Sequence, residues 1–174
     1  MILALDCITI LFLLVIAWQD FNKREISLVF LILLFGAIIT KAFFQLEAGE
    51  WLKYFGINFL FIGIQFFILT VYFSVKNKKI TAVINKSLGL GDALFFAVMS
   101  AAFVPVVFIF FYTLSLSLTL IAYLIWKIIS QRTRKEIPLA GSMGVQYIFL
   151  ISLHYFYPSI SQYDDNWIIS LFYK

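Results

Sequence analysis

Residues 90–129 read LGDALFFAVMSAAFVPVVFIFFYTLSLSLTLIAYLIWKII, an apolar run that carries only two charges, Asp92 near its start and Lys127 near its end. A hydrocarbon core of ~30 Å takes about 20 helical residues per crossing, so this run holds two crossings rather than one. Pro105 divides them, because proline lacks the amide that would continue a helix, and the Ala101-Ala102 pair before it allows a tight turn. The alternation of apolar and polar residues that a barrel strand needs is missing, which leaves helices as the way to satisfy the backbone in lipid.

The rest of the chain follows the same pattern. It has 174 residues, 63% hydrophobic, 20% aromatic and 13% charged, with a mean hydropathy of +1.00. A soluble domain of that composition would not stay in solution. The expected fold is an all-α polytopic membrane protein with about six transmembrane helices in one bundle. Their expected positions are roughly 2–18, 27–45, 52–75, 90–104, 106–129 and 140–157. Residues 1–157 form the transmembrane domain and 158–174 a short interfacial tail. The first segment carries Asp6 rather than a basic leader and lacks an A-x-A-like cleavage site, so it reads as a retained helix. The single cysteine, Cys7, excludes an internal disulfide or a cysteine-built zinc site.

Charge orients the helices. Lys23, Arg24, Lys76, Lys78, Lys79, Lys86, Lys127, Arg132, Arg134 and Lys135 all belong to connections 1–2, 3–4 and 5–6 or their flanking helix ends. Lys41, Lys53 and Lys174 fall on the other side, together with Glu47, Glu50, Asp164 and Asp165. The basic side is expected in the cytoplasm and both termini outside. The net charge of +4 then reflects orientation rather than affinity for nucleic acid.

Two acids interrupt this scheme. Asp20 ends the first helix and Asp92 begins the fourth, so both lie at the cytoplasmic face although 72 positions separate them. Ionisable groups at the edge of a bilayer usually face protein or a water-filled cavity. If the first and fourth helices pack together, the two carboxylates can share one proton. One could then take a proton from water while the other, protonated, polarises a scissile carbonyl. Gly89 and Gly91 flank the second acid; glycine permits backbone angles closed to other residues and lets another chain approach closely. Taken singly, Asp92 would read as an N-terminal helix cap and Asp20 as an interfacial carboxylate paired with Lys23 or Arg24.

Three stretches together resemble the type IV prepilin peptidases, membrane aspartyl proteases with a Gly-x-Gly-Asp signature. Asp20-Phe21-Asn22-Lys23-Arg24-Glu25-Ile26 is similar to the family's first catalytic region, with Ser27 in place of the usual following proline. Gly89-Leu90-Gly91-Asp92 is similar to the second, although Ala93-Leu94 lacks the lysine often found two residues after the acid, a role open to Lys86. Lys135-Glu136-Ile137-Pro138-Leu139-Ala140-Gly141 resembles the Ile-Pro-Phe-Gly type of start to the last core helix, with Leu139 and Ala140 deviating. The resemblance covers roughly residues 2–157. It implies a leader peptidase of the cell membrane, with Asp20 and Asp92 as the catalytic pair and Gly89, Gly91, Lys23, Arg24, Pro138 and Gly141 as supporting residues. It implies no metal and no cofactor. The implied substrate is a prepilin-like subunit (type IV pilin, Flp/Tad pilin or preflagellin) with a short basic leader ahead of a hydrophobic helix. The chain lacks the paired Cys-x-x-Cys domain of many relatives and looks more like the compact peptidase-only members, so methylation of the new N-terminus is not among the expectations.

Other readings remain open at this level. A small proton-coupled transporter would use Asp20 and Asp92 as a relay, but needs polar groups through the membrane, where only Gln65, Thr70, Ser115, Ser117, Thr119 and His154 are scattered. A non-catalytic pilus or secretion assembly protein would need neither acid. A presenilin-like protease would cut inside a helix, whereas acids at a membrane boundary favour juxtamembrane cleavage. His154 is expected to hydrogen-bond to a neighbouring helix. Ala140, Gly141 and Gly144 predict a close helix contact after Pro138. Tyr157, Tyr163, Trp167 and Tyr173 suit an outer aromatic belt, with the tail along the outer surface.

Overall fold

The computed structural model describes residues 1–78, 89–130 and 137–172; Lys79, Lys86, Arg132, Arg134, Lys135, Glu136, Tyr173 and Lys174 lie outside the described residues. It contains seven helices among the described residues: α1 (Ile2–Lys23), α2 (Leu28–Phe43), α3 (Ala48–Asn77), α4 (Leu90–Met99), α5 (Pro105–Ser130), α6 (Leu139–Phe156) and α7 (Asn166–Phe172). The chain is an all-α polytopic membrane protein. Helices α1, α3, α5 and α6 are long and apolar enough to cross a membrane. The expected second and fourth crossings are shorter: α2 has 16 residues and α4 only 10, about 24 and 15 Å of helix.

The bundle is assembled around α6, which packs extensively against α1 and also against α5 and α4. Small residues set the closest approach, as expected from Ala140, Gly141 and Gly144. A Cβ on Gly144 would lie 3.7 Å from both Leu13 Cδ2 and the Leu13 carbonyl oxygen, so the α1 and α6 backbones nearly touch there. Away from these seams the helices present large apolar side chains outward, among them Leu60, Phe67, Ile128, Phe149 and Phe156, a surface suited to lipid. Inside, Phe95, Phe96, Phe103, Phe108, Phe111, Tyr112 and Tyr147 form a continuous aromatic core across α4, α5 and α6.

The break between α4 and α5 comes earlier than expected. Helix α4 stops at Met99, and residues 100–104 are non-helical before α5 begins at Pro105, where a missing amide costs nothing. This break is buried, so its carbonyls need donors from elsewhere in the protein. Asn58 Nδ2 of α3 donates to the Ser100 and Phe103 carbonyls at 2.9 and 2.8 Å, and Trp51 Nε1 donates to Ala101 at 3.1 Å. The Val104 amide donates to the Gln162 carbonyl at 3.1 Å. Nothing in the local sequence around Pro105 points to Asn58, 42 and 45 positions away from its partners.

The end of the bundle away from Asp20 is tied by a second polar cluster. Lys41 of α2 forms an ion pair with Asp6 of α1, both buried, and Tyr155 Oη of α6 donates to the other Asp6 oxygen at 2.7 Å. Three helices meet at one carboxylate, which compensates for removing charges from water. The tail continues onto this end: Tyr147 Oη donates to Gln162 Oε1 at 3.0 Å, Trp167 packs edge-on against Phe110, and Ile168 is buried. His154 bonds the Ile160 carbonyl at 2.7 Å, in the loop after its own helix rather than on a neighbouring one. The chain turns back immediately after α6, which brings that carbonyl within reach.

Candidate active site

Helix α6 begins with an unmet need for acceptors. Its N-cap is Pro138, whose side chain cannot accept from the first-turn amides as Ser, Thr, Asp or Asn would. Two carboxylates from other helices take that place. The Gly141 amide donates to Asp20 Oδ2 at 2.7 Å, and the Ala140 amide donates to Asp92 Oδ1 at 3.1 Å. Adjacent helical amide nitrogens are about 2.8 Å apart, so the two accepting oxygens are no more than roughly 9 Å from one another. The positive end of the α6 dipole faces both acids.

This geometry changes the expected route by which the acids meet. Helices α1 and α4 do not pack extensively on each other; each packs on α6, whose first turn lies between the carboxylates. Asp20 sits in the last turn of α1, which runs on to Lys23 instead of ending near residue 18, and it is only 5% exposed. Asp92 sits in the first turn of α4 and is half-buried. The capping reading of Asp92 is therefore right in kind and different in address, because the helix it caps is α6.

The glycines work by proximity and not by unusual torsion. Gly89 has φ −64°, and no glycine among the described residues has a positive φ. A Cβ on Gly91 would come within 3.3 Å of Ile26 Cβ and Cδ1, and one on Gly89 within 3.3 Å of Asp92 Oδ2. The space expected for an approaching chain is thus filled by the connection after α1 and by the acid itself. Gly141 is tighter still: its Cβ would lie 3.0 Å from Asp20 Oδ2 and 3.3 Å from Phe21 Cε2.

The basic residues divide. Lys23 is exposed at the end of α1. Arg24 closes α1 in the left-handed conformation, φ 58° and ψ 24°, with its amide donating to the Asp20 carbonyl. A non-glycine residue in that conformation is held there by its surroundings. Its guanidinium acts electrostatically on both carboxylates, and Asp20 acts on Asp92. Neither Asp20 nor Asp92 forms an ion pair with Lys23 or Arg24 among the described residues; the Lys41–Asp6 ion pair lies at the opposite end of the bundle. Gln19 fixes the turn into α2 by accepting from the Ser27 amide at 3.0 Å, which positions Ile26 against Gly91.

Chemically the site offers two carboxylates on one pair of amides and one nearby guanidinium. Among the described residues no group of three or more His, Cys, Asp or Glu side chains comes together as a metal-ligand set. No protein-family model, curated protein or solved structure matches the chain.

Proposed function

We propose that the chain is a membrane aspartyl endopeptidase that removes the short basic leader from prepilin-like subunits. One observation carries the reading: carboxylates 72 positions apart in sequence are bound by consecutive amides of one helix terminus. Paired acids held at a fixed short range are what general acid–base hydrolysis of a peptide requires.

In this mechanism the pair holds a single proton. The ionised carboxylate takes a proton from water as the water oxygen bonds to the scissile carbonyl carbon. The protonated partner donates to the carbonyl oxygen. Collapse of the tetrahedral intermediate breaks the carbon–nitrogen bond, the leaving amine takes a proton from the pair, and the shared proton is restored. The α6 amides keep both carboxylates oriented throughout, so little reorganisation accompanies the reaction.

Placement of the acids at helix ends favours a cut beside a membrane helix and not within it. The excess of Lys and Arg at the same ends supports a cytoplasmic site in the cell membrane, with both termini outside. The prepilin-like substrate, from a type IV pilin, Flp/Tad pilin or preflagellin system, fits this placement: its basic leader remains in the cytoplasm and its hydrophobic helix in the bilayer. The test is leader cleavage of a co-expressed prepilin-like substrate by the native chain, Asp20→Asn and Asp92→Asn at matched membrane levels. Loss in both variants is expected, with residual rates below about 1%. Cleavage that persists in either variant removes that acid from the mechanism, and no cleavage by the native chain overturns the reading.

A further inference from the structure

Beside the acid pair lies a cavity of about 340 Å³, walled by Phe21 and Arg24 of the α1 end, Tyr123 and Trp126 of α5, and Pro138 and Ser142 around the α6 start. Its walls are mostly apolar and aromatic. Three of these residues adjoin the acid site: Phe21 follows Asp20 in sequence, and Pro138 and Ser142 bracket the amides that bind both carboxylates. The Gly141 Cβ position is 3.0 Å from Asp20 Oδ2 and 3.3 Å from the Phe21 ring, so the cavity wall is within one side-chain length of the acid. Arg24 Nη1 is buried and meets no acceptor among the described residues. A buried donor without a partner is costly, and a ligand that supplies an oxygen there would be favoured.

We infer that this cavity is a side-chain subsite of the peptidase, taking one large apolar residue next to the scissile bond while Arg24 Nη1 donates to a backbone carbonyl of the same substrate. The inference rests on the peptidase reading above. Its volume is at the lower end for ligand pockets, enough for one aromatic or branched aliphatic side chain and too small for a folded segment. The guanidinium is already near two carboxylates that hold a net negative charge, so a neutral peptide carbonyl suits its free donor better than a second acid. A peptide whose scissile carbonyl lies on the acid pair would carry its adjacent side chain toward the Phe21 edge of the cavity, against its aromatic walls.

The experiment uses the full chain in membranes and a prepilin-like substrate with Phe, Leu or Ala placed in turn on either side of the scissile bond. For the native chain, kcat/KM for Phe or Leu at one of the two positions is expected to exceed that for Ala about tenfold or more. Ala122→Phe, which fills the cavity from α5, is expected to bring that ratio down toward unity. Leu124→Phe, an exposed position that does not line the cavity, is expected to leave the ratio unchanged. Arg24→Gln is expected to raise KM for large and small substrates alike, because a backbone carbonyl is common to both. Equal cleavage of large and small substrates, or a ratio that Ala122→Phe does not move, overturns the subsite while Asp-dependent cleavage leaves the peptidase reading intact. Absence of any cleavage by the native chain overturns both.

Discussion

Gly141→Ala is the sharpest perturbation of the proposed mechanism, because it adds one methyl group at the point where α6 meets Asp20. The new Cβ would lie 3.0 Å from Asp20 Oδ2, 3.3 Å from Asp20 Cβ and 3.3 Å from Phe21 Cε2. The exposed Phe21 ring can swing aside, but Asp20 cannot do so cheaply: it is 5% exposed and its carboxylate is held by the amide of the substituted residue itself at 2.7 Å. Relief requires α6 to retreat from α1 by a few tenths of an ångström, stretching that hydrogen bond. Overpacking of this kind costs about 1–3 kcal/mol, and weakening a hydrogen bond to a charged group costs up to about 1.5–3 kcal/mol more. A loss near 2 kcal/mol would lower the midpoint of thermal unfolding in detergent by about 4–8 °C for a chain of this size. Displacing one acid from its partner should reduce leader-cleavage kcat/KM by about 10- to 100-fold. The control is Gly144→Ala one turn further on, whose Cβ meets Leu13 at an ordinary 3.7 Å and should leave both readouts near native. If Gly141→Ala cleaves and unfolds like the native chain, the α6 start does not position Asp20. If both variants fail equally, the effect belongs to general α6 packing.

Three other outcomes are expected. Asp6→Asn should destabilise the fold by about 3–5 kcal/mol by leaving buried Lys41 without its counter-ion, whereas the Asp6→Leu/Lys41→Met pair should recover most of the unfolding midpoint; equal loss in both would show that the cluster acts through Tyr155 instead. Asn58→Leu, of similar volume, strips two donors from the α4–α5 break and should lower the unfolding midpoint, with a cost of about 2–4 kcal/mol; native stability would mean other groups satisfy those carbonyls. Cleavage should pass through a maximum with pH, since the pair is inactive with two protons on the acid side and with none on the alkaline side; a rate that rises or levels off without falling on both sides argues against a shared proton.

Much of the architecture can be read in the sequence because lipid imposes a coarse rule: apolar length counts crossings, and proline marks breaks. Pro105 marks where α5 begins and the Ala101-Ala102 pair lies in the turn before it, although α4 ends five residues earlier than expected. The shortness of α4 did not show, because Ser100 to Val104 are as apolar as a helix would be; what allows the chain to leave helical geometry is Asn58 on another helix. Both acids were visible as charges at apolar boundaries. Their actual link was not, because it runs through backbone amides, which every residue carries and no composition signals. Pro138 gave a partial hint, since a helix start with no capping side chain has to find its acceptors elsewhere. The Asp6–Lys41–Tyr155 cluster was missed because its members are isolated in sequence and only α-helical pairing across three segments brings them together.

The two anchors of the acid pair are neighbouring residues in one chain, so the spacing between them is covalent. Bilayers differ in thickness, and membrane helices answer by tilting or sliding, which would shear any site assembled from side chains on separate helices. Here a tilt of α1 or α4 reaches the carboxylates only as far as two hydrogen bonds can stretch, while the ruler between them, one peptide unit of α6, stays the same length. The pair is therefore expected to keep its register in thin and thick membranes alike, and transplanting the protein between hosts of different lipid composition should change how deep the site sits more than how far apart its acids stand.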